Sequence, residues 1–237
     1  TDATFAMRWA PVKDLALRAS YGTGFLPPSV SQVASNFNEN YTNSLGASDP
    51  KRGHAPLGQV PYLYIFGGSP HVRPEQSESR SVGLIFTPRF APGLRFSIDF
   101  TRIDKVDEIQ VPNVQFLLDN EEIFADRIER GPKLPTDEED WPGPIVRLDR
   151  TLLNISQISL ETFDFNLSYT HETAGQGEFR WSLRSTYQPH YITRALPDSP
   201  GVDHAGFDSG PLKWRGNAGV DWHKGALTLG WNAQYYG

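Results

Sequence analysis

Residues 94–101 alternate without a break, with Leu94, Phe96, Ile98 and Phe100 on one side and Arg95, Ser97, Asp99 and Thr101 on the other. Successive side chains of a strand point to opposite faces, so the pattern predicts a strand with one apolar face and one polar, partly charged face. Residues 81–87 match it, setting Val82, Leu84 and Phe86 against Ser81, Gly83 and Thr87, and residues 88–93 supply turn formers between the two runs. Together they predict an antiparallel hairpin. The same design recurs three times. Ala3, Phe5, Met7 and Trp9 face Leu15, Leu17, Ala19 and Tyr21 around a turn at 11–14. Phe163, Phe165, Leu167 and Tyr169 precede Phe179, Trp181 and Leu183 around 171–177. Trp214, Ala218, Val220 and Trp222 precede Leu227, Leu229, Trp231, Ala233 and Tyr235 around 224–225.

The connections are unequal. Hairpin turns are short, whereas residues 25–78, 114–144 and 189–210 form long links rich in Ser, Asn, Gly, Pro and Asp. In 25–78 the alternation disappears, leaving the scattered aromatics Phe37, Tyr41, Tyr62, Tyr64 and Phe66. Structureless links of that size are rare unless they bind or cover something, so this one is the first functional candidate. Residues 114–128 change period: Leu117, Leu118, Phe124 and Ile128 fall on one side of a helical wheel, and Asp119 with Glu122 is positioned to cap one short helix. Residues 131–144, acidic and proline-rich, read as a mobile segment.

Short turns at one end, long links at the other, an apolar strip and a polar strip on every strand, and aromatics near the ends of the apolar strip are the features of an outer-membrane β-barrel. The polar strip carries Arg8, Arg18, Arg95, Asp99, Asp164, Arg180, Arg184, Arg215 and Asp221, which suits a wet or plugged lumen and not the dry interior of a sandwich. Sheets of soluble proteins also alternate with one solvated face. The repeated coupling of short and long ends favours the barrel.

Composition agrees. With 38% hydrophobic and 12% aromatic residues, 21 Gly and 19 Pro, the chain favours many strands and turns over helices. No apolar run approaches the ~18 residues of a membrane helix. The mean hydropathy of -0.46 is blind to strands that are only half apolar. The absence of cysteine leaves no disulfide framework and no thiolate site. A net charge of -6 without a Lys/Arg cluster argues against nucleic acid. The start Thr1-Asp2-Ala3 carries no signal peptide, and the chain reads as a mature or excised piece.

No catalytic, metal or cofactor motif is found, so neither an enzyme nor a cofactor is expected. His54, His71, His190 and His204 fall in links and read as solvated, and the acidic run 137–140 reads as a solvated loop. The sequons at Asn40, Asn154 and Asn166 read as chance matches. The candidate ligand-binding residues are the link aromatics Tyr62, Tyr64, Phe66 and Trp141, which suit stacking on a planar ligand or packing within their own link.

Several stretches resemble the barrel of TonB-dependent outer-membrane receptors. Leu17-Arg18-Ala19-Ser20-Tyr21-Gly22-Thr23-Gly24-Phe25-Leu26-Pro27-Pro28-Ser29 is similar to that family's "lRasyg.gFraPs" segment, and Gly68-Ser69-Pro70-His71-Val72-Arg73-Pro74-Glu75-Gln76-Ser77 to its "GNP.LkPE.S" segment. Residues 93–100, with Ile103 and Ile109, resemble its "gl..svdyy.i...d.I" strand, and Phe163-Asp164-Phe165 its "GiDl" position, with Thr162-Phe163 where the family has Gly. The resemblance implies a Gram-negative outer-membrane location in contact with lipid. It further implies uptake of a scarce, bulky extracellular ligand such as a siderophore or oligosaccharide, energised through the TonB complex. Such receptors have about 22 strands around a plug. Here about eight strands are read, as expected for a partial transmembrane antiparallel barrel. Residues 1–237 are therefore expected to be an interior portion, with the plug, its TonB contact and the barrel C-terminus outside this chain. The alternative is a secreted, soluble β-sheet module that binds ligand with the same links.

Overall fold

The computed structural model describes residues 2–35, 37–42, 46–58, 60–207 and 210–237, with the side chain of Phe37 outside that description. Its strands are β1 (Thr4–Val12), β2 (Leu15–Leu26), β3 (Phe37–Thr42), β4 (Ser48–Asp49), β5 (Ala55–Pro56), β6 (Tyr62–Gly67), β7 (Glu75–Phe86), β8 (Leu94–Gln110), β9 (Ile128–Arg130), β10 (Ile145–Thr151), β11 (Leu153–Thr173), β12 (Gly177–Arg194), β13 (Val202–Asp203), β14 (Trp214–Lys224) and β15 (Leu227–Tyr236). Two short helices, α1 (Val30–Val33) and α2 (Val114–Asp119), lie between them. The chain divides into two units. The first is Thr1–Phe25, Gln76–Val106 and Ser156–Gly237, and the second Leu26–Glu75 and Asp107–Ile155.

The first unit is one sheet in the order β1-β2-β7-β8-β11-β12-β14-β15, with β13 beside β12. All four hairpins are antiparallel, with registers that set Phe5 opposite Tyr21, Leu84 opposite Ile98, Tyr169 opposite Trp181 and Trp222 opposite Leu229. Apolar side chains share one face across neighbouring strands: ring centroids of Phe100 and Phe163 are 5.0 Å apart, and those of Tyr187 and Trp214 4.4 Å apart. Among the described residues no second sheet of this unit covers that face, and Phe5 and Trp231 remain 68% and 63% exposed. A soluble sandwich would bury them. On the polar face, Arg18 Nε donates to Asp99 Oδ1 at 2.6 Å across β7. Gly83 makes this pair possible, because a Cβ there would sit 1.8 Å from Asp99 Oδ1. At the turn 87–93, Gly93 adopts φ +87, in the left-handed region that glycine tolerates.

The strands outlast their alternation. β12 continues to Arg194 where the sequence reads as a link, because β13 pairs with it at Ile192 and Thr193. His190 is therefore a strand residue, its Nδ1 2.8 Å from Asp203 Oδ2.

The second unit gathers the first two long links into one small fold. Its sheet runs β3-β6-β10-β9, with β4 and β5 as a separate two-stranded ladder. β6 and β10 are parallel, with Leu148 opposite Tyr64 and Arg150 opposite Phe66. Residues 25–78 are thus not structureless. Strand β6, Tyr-Leu-Tyr-Ile-Phe-Gly, shows no alternation because its parallel partner lies in the other link, and buried parallel strands read as continuous apolar runs. Leu117, Leu118, Phe124 and Ile128 are all buried, together with Tyr62, Ile65, Ile145 and Leu148. Only Leu117 and Leu118 lie on α2, however, which ends at Asp119; Phe124 follows it in a turn and Ile128 opens β9, so the single helical wheel read over 114–128 is not what unites them.

Two expectations change here. The cap of α2 is Asn113, whose Oδ1 accepts from Gln115 N at 2.9 Å, whereas Asp119 is the last helical residue and accepts from the Gln115 side chain. Residues 131–144, expected to be mobile, form a loop closed by Gly131 N donating to Pro144 O at 2.8 Å. Arg52 pins that loop from the other link: Nη1 donates to Asp137 Oδ2 at 2.8 Å and to Pro142 O at 2.7 Å. Composition reads Asp137 as solvated, but its side chain is 3% exposed because a buried guanidinium receives it.

Candidate functional site

The four candidate aromatics all belong to the second unit and fall into two settings. On β6, Tyr62, Tyr64 and Phe66 share one strand face by alternation. Tyr64 and Phe66 are half-buried and stacked, with centroids 5.2 Å apart and planes at 26°. Arg150, opposite Phe66 on β10, donates from Nη1 to the Tyr64 hydroxyl at 2.9 Å and from Nε to Pro112 O. The stack therefore has a fixed guanidinium at its side. Trp141, in the pinned loop, lies beneath the Arg52 guanidinium, with Cζ 5.3 Å from the ring centroid, a cation–π contact.

Tyr62 is 1% exposed. It adjoins Asp49 and Arg52 across a hollow of about 20 Å³, and its hydroxyl has no hydrogen-bond partner among the described residues. Burial, and secondarily Tyr64, push its ionisation up to about 12. The neutral phenol therefore favours the folded unit below the ordinary tyrosine value, and that contribution is lost as pH rises through about 12. An unpaired buried hydroxyl opposes folding. Tyr62→Phe is expected to leave the unit unchanged or raise its stability by up to about 1 kcal/mol. Tyr62→Ala should cost about 3–5 kcal/mol. Hydrogen exchange of the β6 and β10 amides measures both, and a clear loss in Tyr62→Phe would mean that the hydroxyl is bonded after all.

Beneath the aromatics lies an ionic clasp between the two links. Arg130 on β9 donates from Nη1 and Nη2 to Asp49 at 2.8 and 2.9 Å, and from Nε and Nη2 to Glu121 at 2.9 and 2.6 Å. Burial disfavours the Arg130 charge, but hydrogen bonds to Glu121 and Asp49 outweigh it and raise its pKa above the ordinary arginine value. The hydrogen bond from Arg130 holds Glu121 below the usual carboxylate range, and that from Arg52 does the same for Asp137.

The other face of the sheet forms a concave site that the sequence reading does not anticipate. A hollow of about 230 Å³ is lined by Glu39, Ser69, His71, Arg147, Asp149 and Thr151, among others. None of the four candidate aromatics lines it. Asp149 is occupied, its Oδ1 accepting from Thr151 N and Oγ1 at 2.9 and 2.8 Å, whereas Arg147 reaches it only at 3.9 Å. Arg147 therefore has donors available to a ligand. The alternation of Arg147, Asp149 and Thr151 was a legible signal for this face. Its meeting with Glu39 and His71 was not, because pairing of β3 and β10 with β6 brings these segments together. No group of three or more potential metal ligands occurs among the described residues.

A family model described as TonB dependent receptor-like, beta-barrel, matches residues 4–237. No curated protein matches the sequence. Among solved structures, the chain is similar to the ferric enterobactin receptor of Pseudomonas aeruginosa, at 14% identity and a TM-score of 0.63, over 100% of this chain and 27% of that one. It is similar to the siderophore receptor PirA of Acinetobacter baumannii, at 13% identity and a TM-score of 0.61, over 100% of this chain and 28% of that one. The hemophore receptor HasR of Serratia marcescens, solved with its hemophore HasA and heme, aligns at 15% identity and a TM-score of 0.51, over 99% and 32%. The chain thus spans about a third or less of these structures, whose identity is too low to carry more than the fold. The family match over nearly the whole sequence, and a one-sided antiparallel sheet with its long links at one end, place this chain in the TonB-dependent receptor family, within its β-barrel.

Proposed function

We propose that this chain is part of the barrel wall and the ligand-capturing extracellular loops of a Gram-negative outer-membrane receptor, which imports a scarce, bulky ligand by a TonB-energised mechanism. The observation that carries the reading is the second unit: two links from the same end of the sheet fold together around a buried ionic clasp. A loop ordered in this way can present a shaped surface to a ligand. The unclosed sheet and the short span relative to similar structures support reading the chain as one portion of a longer barrel that surrounds a plug. Transport, not catalysis, is the activity.

The ligand class we favour is an iron chelate or heme, the cargo named for the similar receptors. Tyr64 and Phe66 supply flat apolar surface on one face of the sheet, with Tyr62 supporting the stack from inside, and Trp141 supplies a further ring in the pinned loop; Arg147 and His71 offer a separate position for anionic groups in the hollow on the opposite face. The test uses the full-length receptor in intact cells, measuring accumulation of a radiolabelled ferric catecholate and of heme with and without TonB. Accumulation that requires both the receptor and TonB is expected, with weaker ligand binding in Tyr64→Ala and Phe66→Ala. Binding and uptake unchanged by loss of the receptor would defeat the proposal.

A further inference from the structure

The hollow opposite the aromatic stack carries charge that the second unit itself leaves unanswered. Strand β6 runs between β3 and β10, and its registers place Glu39, Ile65 and Asp149 on one rung and Tyr41, Leu63 and Arg147 on the next. Directly opposed residues share a face, so both rungs lie on the hollow's side of the sheet. Asp149 is answered by Thr151 and by Arg127, whose Nη1 lies 3.5 Å away. Among the described residues neither Glu39 nor the Arg147 guanidinium makes a hydrogen bond, and Arg147 comes no closer to a carboxylate than the 3.9 Å to Asp149. One cation and one anion therefore face each other across β6, on strands two spacings or about 10 Å apart. The walls between them are fixed. Ile65, 3% exposed, is the floor, with Ser69 and Thr151 buried beside it. Ser69 N donates to Gln32 O at 2.8 Å, and Gly68 lets α1 approach the rim, because a Cβ there would lie 2.4 Å from Ala34 O and 2.6 Å from Ser31 O.

We infer that this hollow is a subsite for a zwitterion of amino-acid type, with Arg147 receiving the carboxylate and Glu39 the ammonium group. The inference deepens the ligand-capture reading proposed above and rests on it: the group recognised is a free amino-acid end carried by the cargo. A lone anion would satisfy Arg147 and leave Glu39 beside a like charge, and a lone cation would do the reverse. An α-amino carboxylate answers both. It holds its two charges on one carbon and, with a charge-assisted hydrogen bond of about 2.8 Å at each end, spans the gap that keeps the two side chains apart. Size agrees: about 230 Å³ lies below the ~300–1,000 Å³ of a site for a whole drug-sized ligand and suits a small protruding group. Tyr41, 76% exposed on the Arg147 rung, and His71 supply a ring surface and a further polar group for whatever the amino acid is attached to.

The experiment uses the full-length receptor in detergent at neutral pH, with L-alanine, N-acetyl-L-alanine and L-alaninamide as probes and saturation-transfer NMR as the readout. L-Alanine is expected to bind about tenfold more tightly than either probe that lacks one charge. Arg147→Gln should remove its advantage over L-alaninamide, and Glu39→Gln its advantage over N-acetyl-L-alanine, each leaving the matching singly charged probe at the parent level. Arg147→Lys, which keeps the charge, should retain most of the L-alanine binding. Equal binding of the three probes, or no saturable binding of L-alanine by the parent, overturns the inference. The uptake assay described above separates the two levels of argument. TonB-dependent uptake without L-alanine binding defeats the subsite alone, whereas L-alanine binding that needs both residues in a receptor without such uptake defeats the capture reading and leaves an amino-acid site.

Discussion

Arg130→Ala is expected to destabilise the loop unit by about 3–5 kcal/mol, because it leaves the buried Asp49 carboxylate without a cation and Glu121 with only Lys51 Nζ at 3.5 Å. The Arg130, Asp49 and Glu121 side chains are 13%, 3% and 12% exposed, so water cannot readily replace the lost partner. Asp49 also caps the turn that carries Arg52, accepting from Lys51 N at 3.1 Å, so its displacement should loosen the 131–144 loop as well. The measurement is hydrogen exchange on the full-length receptor in detergent, with β11 and β12 amides as internal reference. Protection should fall in β9 and β10 and hold in the barrel strands. Replacing all three members by apolar residues of similar size should cost much less than Arg130→Ala alone, since no charge is then left unpaired. Acid should act in the same direction. Glu121 and Asp137 are held below the usual carboxylate range, so their stabilisation is complete above the ordinary value of about 4 and is lost as pH falls through their folded values. A loop unit equally protected in Arg130→Ala and parent would remove the clasp as its organising contact.

Leu183→Arg should cost about 2–4 kcal/mol in bilayer folding, the range for a cation placed near the middle of a lipid-facing strand. Leu183 lies in the rung Leu167–Leu183–Ala218–Ala233, with Trp181 below it on the same face and the Tyr187–Trp214 contact above. Its sequence neighbour Arg184 points the other way, in the rung Asn166–Arg184–Asn217–Gln234, beside a hollow of about 360 Å³ on the polar face. Arg184→Leu is therefore expected to change folding far less. Urea-dependent folding of the full-length receptor into lipid vesicles, followed by tryptophan fluorescence, compares the two. Similar costs for the two substitutions would mean that neither face meets lipid, and would revive the soluble-module reading.

The eight long strands were legible in the sequence because each needed only its own residues: side chains alternate with period two wherever one face meets an apolar and the other a polar environment. Leu94, Phe96, Ile98 and Phe100 declared that face, and the turn residues at 88–93 and 224–225 declared their partners. The buried Leu117 and Leu118 of the short helix α2 were legible for the same local reason. Its cap was not, because several polar residues nearby could serve and only the backbone path selects Asn113. Among the site candidates, composition marked Tyr62, Tyr64 and Phe66 as apolar residues in a polar link but could not tell an inward ring from a surface one. The parallel pairing with β10 settles that, leaving Tyr64 and Phe66 half-buried beside Arg150 while Tyr62 is enclosed.

An all-β chain of amphipathic hairpins with unequal ends is thus written into the order of the residues, since neighbours in the chain carry that information. The folding of the long links into one unit is not, because it depends on groups that meet only in three dimensions. Arg52 and Asp137 are 85 positions apart, nothing in the chain between them marks them as a pair, and only their shared burial makes them partners. The same holds for Arg130 with Asp49: charge that composition assigns to water is drawn inside when a distant opposite charge arrives with it.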